Sequence, residues 1–562
     1  MKTIFKITTI IVLFTSLLSS CTDWLDVKPE GSPNEANFWN TDQDYEKAAV
    51  SLYNCLSLEE TWGRNLFWEQ GASDDIFFSR SRGNSQMNLA NLEMNGSTEG
   101  SIKDIYNIMY ETMSEANNII YHVFQLDATT PIIDRTLGEA YFMRAFSHFM
   151  IAYRYGRIDN GVPFDAYEDN SSLLVKIPEQ RASVVDNYRL IIEDLDNAIA
   201  VLPWFSEYGT DDYGRATKDA AIALKVKTYA YWAQHDASQW ENIPALVDLL
   251  ETGGNRGLLD NFGDVFKIDN EWSKEYIFSI NCSGASYAGS SFPGIMLDNK
   301  GWGRYNGWGN FKPTLELFAE YDAADARRSA TILQYGDTFT FFGEQRKFYS
   351  TADLECGFHF NKYMDPFSYG SVDAVSGAGV SDKVSPNGDR PTTDLNVPII
   401  RFAEMLLFKA EALIETNQGA KAAQTLNRLT ARAGLGNLYS TATIEDLMHE
   451  RRCELAGEFT DRLMDLKRWT AKYPDVKTKI ESAKHGLKYE NRSNPDSELV
   501  PNGTDTGTGQ QVMQMVINGK TFNGVIEIMS AKDYDAAKDC VLPYEQNEVI
   551  KARGALKQNP GY

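Results

Sequence analysis

The chain has 562 residues, 43% hydrophobic and 12% aromatic, with 28 Tyr, 29 Phe and 11 Trp, which is ample for a large folded core and excludes wholesale disorder. Its 78 acidic against 54 basic residues give a net charge of -24, which argues against a broad nucleic-acid-binding face. Six His and six Cys leave little material for metal or thiol chemistry.

Residues 1–20 read as a leader. Lys2 and Lys6 precede an apolar run, 7–18, that is too short and too rich in Thr and Ser for a membrane span. Leu18-Ser19-Ser20-Cys21 has the pattern of a bacterial lipobox, so cleavage is predicted before Cys21, with acylation of its thiol and new N-terminus. Two or three acyl chains anchor stably where one is marginal. An ordinary secretory peptide with an incidental Cys is the alternative. Loss of Lys2 and Lys6 would take the net charge from -24 to -26. The remaining cysteines, Cys55, Cys282, Cys356, Cys453 and Cys540, are scattered without a CxxC, and are read as small buried apolar residues.

Residues 21–43 are polar with isolated aromatics, as in a tether that ends by packing on the body. Residues 44–257 form an N-terminal helical region, with helices predicted over 44–58, 102–126, 134–155, 183–202 and 217–234 from apolar residues at three- and four-residue steps. Asp134 is placed as an N-cap and Gly156 as a C-cap. Residues 258–398 are broken by Gly, Asn, Asp and Ser into loops and short strands such as YIFSI (Tyr276–Ile280) and TFTFF (338–342). Helices return in 399–562, over 397–416, 420–433 and 443–469, with Thr443 and Asp446 spaced as a capping box and Gly434 and Gly436 as stop signals. Asn518-Gly519 between 511–517 and 520–526 marks a hairpin. The fold class is therefore mainly α: stacked tetratricopeptide-like helix pairs around a loop-rich, small-strand region, although no clean 34-residue period is present.

HExxH, GxGxxG, GxxxxGK[ST] and GxSxG motifs are all absent, and the six His are not spaced as metal ligands. No carboxylate pair stands out as a hydrolase pair among so many acidic residues. No catalytic residue, cofactor or metal is indicated, calcium included. Two segments carry binding chemistry instead. GWGRYNGWGNF (301–311) places Trp302, Arg304, Tyr305 and Trp308 among Gly and Asn. Bulky rings on a polar loop suit the apolar C–H face of a sugar, with Arg and Asn reaching hydroxyls at the rim; the same pattern would arise if the rings tucked into the core. The stretch 61–84 supplies Asp74, Asp75, Arg80, Arg82 and Asn84 as hydroxyl readers, or else an ordinary surface loop, with Trp68, Phe77 and Phe78 read as core. A third candidate, the Gly/Ser/Asp loop 365–390, reads as flexible surface. The charge-rich stretch 450–468 reads as a salt-bridged helix pair, with Arg451 and Arg452 structural.

Together these segments resemble the SusD/RagB family of surface lipoproteins. YFMRAFSHFMIAYRYG (141–156), IIRFAEMLLFKAEA (399–412), TLNRLTARAG (425–434), the 444–469 stretch, and Leu542-Pro543-Tyr544 with the final Gln558-Asn559-Pro560-Gly561-Tyr562 occur in the family's order. Two places depart: Ala456-Gly457-Glu458-Phe459 replaces an aromatic and Glu-Gly, and Ile105 stands where many members carry Trp, which argues against assuming starch as the ligand. The resemblance implies a non-catalytic glycan-binding lipoprotein at the outer-membrane surface, facing outward, that sits as a lid on a SusC-like TonB-dependent transporter and delivers oligosaccharides to it. A protein-interaction lid or adhesin without glycan specificity is the main rival, and a glycoside hydrolase the second.

Overall fold

A computed structural model of the chain describes residues 38–63, 65–78, 84–96, 100–164, 179–283, 309–334, 337–341, 344–347, 357–363, 394–488 and 512–562. The expected leader, Cys21, Cys356 and the tether up to residue 37 lie outside the described residues. Where the description begins, Trp39 stacks on His122 with ring centroids 4.2 Å apart.

The principal helices are α1 (Asp42–Ser51), α2 (Gly100–Phe124), α3 (Pro131–Tyr155), α4 (Val184–Val201), α5 (Lys218–Trp232), α6 (Ile243–Thr252), α7 (Phe402–Glu415), α8 (Gly419–Arg432), α9 (Ile444–Leu455) and α10 (Arg462–Thr470). From α2 to α6 each helix packs on the next. α6 then packs on α7, which packs in turn on α8 and α9. Helices α6 and α7 are thus neighbours in space although residues 253–401 intervene. The loop-rich middle is an excursion from one continuous helical stack. Among the described residues, no helix is long and apolar enough to cross a membrane.

α3 is the axis of this stack. From Gly138 onward every residue is buried, so the expected apolar stripe widens into a helix enclosed on all sides. Gly138 lets α3 approach the end of α4 closely, since a Cβ there would meet the Leu202 side chain at 2.7 Å. An enclosed helix must satisfy its polar groups internally. Arg144 donates to both oxygens of Asp194 at 2.8 and 2.5 Å, Glu139 accepts from the Tyr53 hydroxyl at 2.7 Å, and Arg154 pairs with Glu69 at 3.0 Å and Asp461 at 2.7 Å.

Three expectations are corrected. The N-cap of α3 is Thr130, whose hydroxyl accepts from the Ile133 N–H, because Pro131 occupies the first helical position and starts the helix before Asp134. The expected helix 397–416 begins as a strand, Val397–Arg401, and becomes helical only at Phe402; the Val, Pro, Ile, Ile run pairs antiparallel with Tyr276–Ile280. The expected helix 443–469 is two helices, divided at Gly457, whose φ of +77° suits a turn and not a helix. Elsewhere the local signals match. The Thr443–Asp446 capping box forms, and Met513–Ile517 pairs with Lys520–Met529 through Asn518 and Gly519, both at positive φ as the tight hairpin turn requires. Cys55 and Cys453 are buried, whereas Cys282 and Cys540 are half-buried; none of the four is disulfide-bonded.

Candidate functional site

The strand Ile76–Phe78 pairs antiparallel with Phe311–Pro313, matching Phe78 to Phe311 and Ile76 to Pro313. Segment 79–83 therefore leaves, and segment 301–310 arrives, at the same end of one short sheet. Two candidate stretches more than two hundred positions apart in sequence share one base. A second strand pair holds the chain where it enters residues 284–308. Ile280 faces Val397, and the Asn396 side chain accepts from the Cys282 N–H at 2.7 Å while donating to Glu271 at 3.0 Å. The chain entering 284–308 is thereby fastened to the chain leaving 364–393.

The shared base is packed into the core. Phe311 is fully buried, with ring centroids 4.8 Å from Trp68, 5.3 Å from Phe67 and 5.6 Å from Phe78. Trp68, Phe77 and Phe78 are core, as their pattern predicts. Thr314 caps the next helix, Leu315–Glu320, and its hydroxyl also donates to the Asp74 carbonyl at 2.7 Å.

Asp74 and Asp75 are corrected: they are 6% and 4% exposed and do not line a rim. Arg462 donates to both Asp74 oxygens at 2.9 and 3.1 Å, while Arg452 donates to Asp75 at 2.7 Å, to the Asp74 carbonyl at 2.6 Å and to Glu320 at 2.8 Å. Burial alone would push the Asp74 carboxyl up, but the Arg452 and Arg462 guanidiniums hold it well below the usual carboxylate range. The pair fastens the sheet to α9 and α10. The stretch 450–468 is a salt-bridged helix pair, as its charge spacing predicts, and its ion network is buried and tied to the rest of the body: Arg451 of α9 pairs with Asp465 of α10 and with Glu404, Arg401 with Glu275, Glu454 and Glu458, and Arg327 with Asp325 and Glu450.

Of the other candidates, Trp302, Arg304, Tyr305, Trp308, Arg80 and Arg82 lie outside the described residues, and so does the loop 365–390. Asn84 is the first residue of the helix Asn84–Asn91. Ile105, at the position of the family's Trp, is fully buried in α2. One arrangement escaped the sequence reading. His449 Nδ1 lies 2.7 Å from Glu320, and its Nε2 lies 3.8 Å from the Cys453 sulfur, the order of a nucleophile, base and orienting acid. Cys453 is fully buried, so this sulfur faces no substrate; its i, i+4 spacing to His449 on α9 was the legible signal.

Among the described residues, the cavity in the middle of the helical stack is too small for a sugar. Bordered by Trp62, Phe149, Tyr153 and Tyr231, it holds about 30 Å³, enough for water, whereas ligand pockets start at about 300 Å³. Among the described residues, no group of three or more His, Cys, Asp or Glu side chains is placed to hold a metal ion.

Comparison with known proteins follows the same lines. Residues 274–562 match the family described as the SusD family, and residues 23–230 match a family described as starch-binding, associating with outer membrane. SusD-like protein P2 of Formosa agariphila is 25% identical over 587 residues, covering 99% of both chains. Among solved structures, a SusD-like protein of Bacteroides fragilis superposes with a TM-score of 0.73 at 20% identity, covering 94% of this chain and 99% of that one. Surface glycan-binding protein A of Bacteroides thetaiotaomicron, solved in complex with laminarihexaose, superposes with a TM-score of 0.65 at 19% identity, covering 92% of this chain and all of the other.

Proposed function

We propose, from the premise that this chain belongs to the SusD family, that it is a non-catalytic lipoprotein of the outer membrane, anchored through Cys21 and facing outward, which binds oligosaccharides and passes them to a SusC-like TonB-dependent transporter. The observation that carries the reading is the pairing of Ile76–Phe78 with Phe311–Pro313, which gives the basic segment around Arg80 and Arg82 and the aromatic segment around Trp302, Tyr305 and Trp308 a common, core-packed base. Rings supply the stacking face for a sugar; Arg80, Arg82, Arg304 and Asn84 supply donors for its hydroxyls. Asp74 and Asp75 act beneath, as positioning residues for the sheet. The water-sized interior cavity supports a surface-bound, extended ligand over a single enclosed sugar.

The complex of surface glycan-binding protein A with laminarihexaose gives the first probe to try on this chain. Purified mature protein is screened against a panel of oligosaccharides that includes laminarihexaose, with product analysis by mass spectrometry. Binding with no shortening of any oligosaccharide is expected. Release of shorter products would replace this reading with the hydrolase one. Loss of all glycan binding, with co-purification of a transporter retained, would replace it with the protein-interaction one.

A further inference from the structure

Lys532 follows the strand Lys520–Met529, and its backbone N–H donates to the Glu481 carbonyl at 2.9 Å. Its Nζ donates to the Ala90 carbonyl at 2.5 Å. Lys484 opens the neighbouring strand Lys484–Lys488, opposite Met529, and its Nζ donates to the Ala72 carbonyl at 3.2 Å and the Ile480 carbonyl at 3.3 Å. The two amino groups lie within hydrogen-bond reach of each other. Lys467, whose Nζ is buried without a partner, adds a further positive charge to the neighbourhood of Lys532. The acceptors around Lys484 and Lys532 are carbonyls, and among the described residues neither amine is ion-paired with a carboxylate. Asp74 and Glu316 attract the Lys484 charge from further off, and Arg452 opposes it.

Hydrogen-bond accounting tells the two amines apart. An ammonium has three N–H donors and no lone pair, whereas a neutral amine has two donors and one lone pair. Two ammonium groups therefore cannot hydrogen-bond to each other. Lys484 has three acceptors in reach, two carbonyls and the other amine, which is the set an ammonium needs. Lys532 has one carbonyl to donate to and a donor beside it, the set for a neutral amine. Lys484 is 3% exposed, whereas Lys532 is half-buried between exposed Ala531 and Asp533, so the neutral amine is the one that solvent reaches. A lysine amine beside a second cation is an activated nucleophile. We propose that Lys532 is a covalent modification site for aldehydes, the open-chain ends of reducing sugars included, with Lys484 as the acid beside it. Nζ attacks the carbonyl carbon; the C–N bond forms as the C=O π pair moves to oxygen, and an amine proton follows to give the carbinolamine. Lys484 then protonates the departing hydroxyl, the nitrogen lone pair closes the C=N bond, and the nitrogen's remaining proton returns to Lys484. The balance is amine plus aldehyde to imine plus water, with no oxidant or reductant needed.

The test incubates the mature chain with glycolaldehyde, traps imines with cyanoborohydride and quantifies each modified lysine by peptide mass spectrometry. At pH 6.5, Lys532 should be labelled at least about tenfold faster than Lys551, whose side chain is 69% exposed. An ordinary lysine gains about tenfold in free amine per pH unit below its pKa near 10.4, whereas an amine already neutral gains nothing. Between pH 6 and 8 the ratio of Lys532 to Lys551 labelling should therefore fall by roughly a hundredfold. Lys484→Met removes the neighbouring charge and should lose most of the preference. Labelling of Lys532 no faster than that of Lys551, a ratio that does not change with pH, or a preference kept in full by Lys484→Met would each overturn the proposal.

Discussion

Arg452 is the residue on which the base of the candidate site depends most. It serves Asp75, Glu320 and the Asp74 carbonyl from a position 4% exposed. Removing one partner of a buried ion cluster leaves uncompensated charge and costs about 3–5 kcal/mol. Arg452→Ala should therefore lower denaturant stability by that order and the melting temperature with it; a loss within about 0.5 kcal/mol would show that the network contributes little. Lys532 is the converse case. Burial, reinforced by the neighbouring Lys484 ammonium, depresses its pKa to about 5, although its Nζ donates to the Ala90 carbonyl at 2.5 Å. The unfolded chain holds this proton up to about pH 10.4 and the folded chain does not, so stability rises with pH between about 5 and 10. Lys532→Met should gain on the order of 2 kcal/mol at pH 7 and flatten that slope. Denaturant titrations at pH 6, 8 and 10 decide; an unchanged slope in the variant would mean that Lys532 stays charged when folded. Neither role was legible in the sequence. Asp74-Asp75 looks like any acidic loop pair until the fold brings in Arg452 and Arg462, 377 and 388 positions away.

Elements were readable where the deciding interaction is local. Thr443 with Asp446 as a cap, and Asn518-Gly519 as a turn, each act within four residues, and each stands where the sequence puts it. The helix start at 397 failed because VPIIRFAEMLLF has only Arg401 and Glu404 among apolar residues, too few polar positions to separate a period of 2 from one of 3.6; the strand forms where Tyr276–Ile280 lies beside it. The break in 443–469 passes through Gly457, between Ala456, which leaves the helix, and Asp461, which caps the next. The φ of Gly457 is +77°, and a Cβ there would lie 2.7 Å from the Phe360 ring. Gly457→Ala should cost about 1–3 kcal/mol through backbone strain and that collision. Chemical denaturation measures it, and wild-type stability would mean that the turn between α9 and α10 has room to shift.

For the molecule as a whole, the helical stack carries the family motifs and the excursion between α6 and α7 carries the aromatic segment. The fold was therefore far more legible than the site: the motifs at 399–412 and 444–469 describe packing and ion pairing, whereas nothing local reveals that Phe78 and Phe311 are paired. The membrane placement is tested at Cys21. Cys21→Ala should abolish lipid labelling and release the protein from the membrane fraction, while protease treatment of intact cells should digest the wild-type chain; full protection would mean an inward-facing protein. The central claim is that oligosaccharides are held by the aromatic segment on its core-packed base. Truncating a dominant aromatic anchor costs about 2 kcal/mol, roughly thirtyfold in affinity. The most direct measurement is calorimetric titration of Trp302→Ala and Trp308→Ala with the tightest oligosaccharide of the panel, alongside their melting curves. A loss of at least tenfold in affinity with melting temperatures unchanged is the predicted result; wild-type affinity in both variants would contradict it.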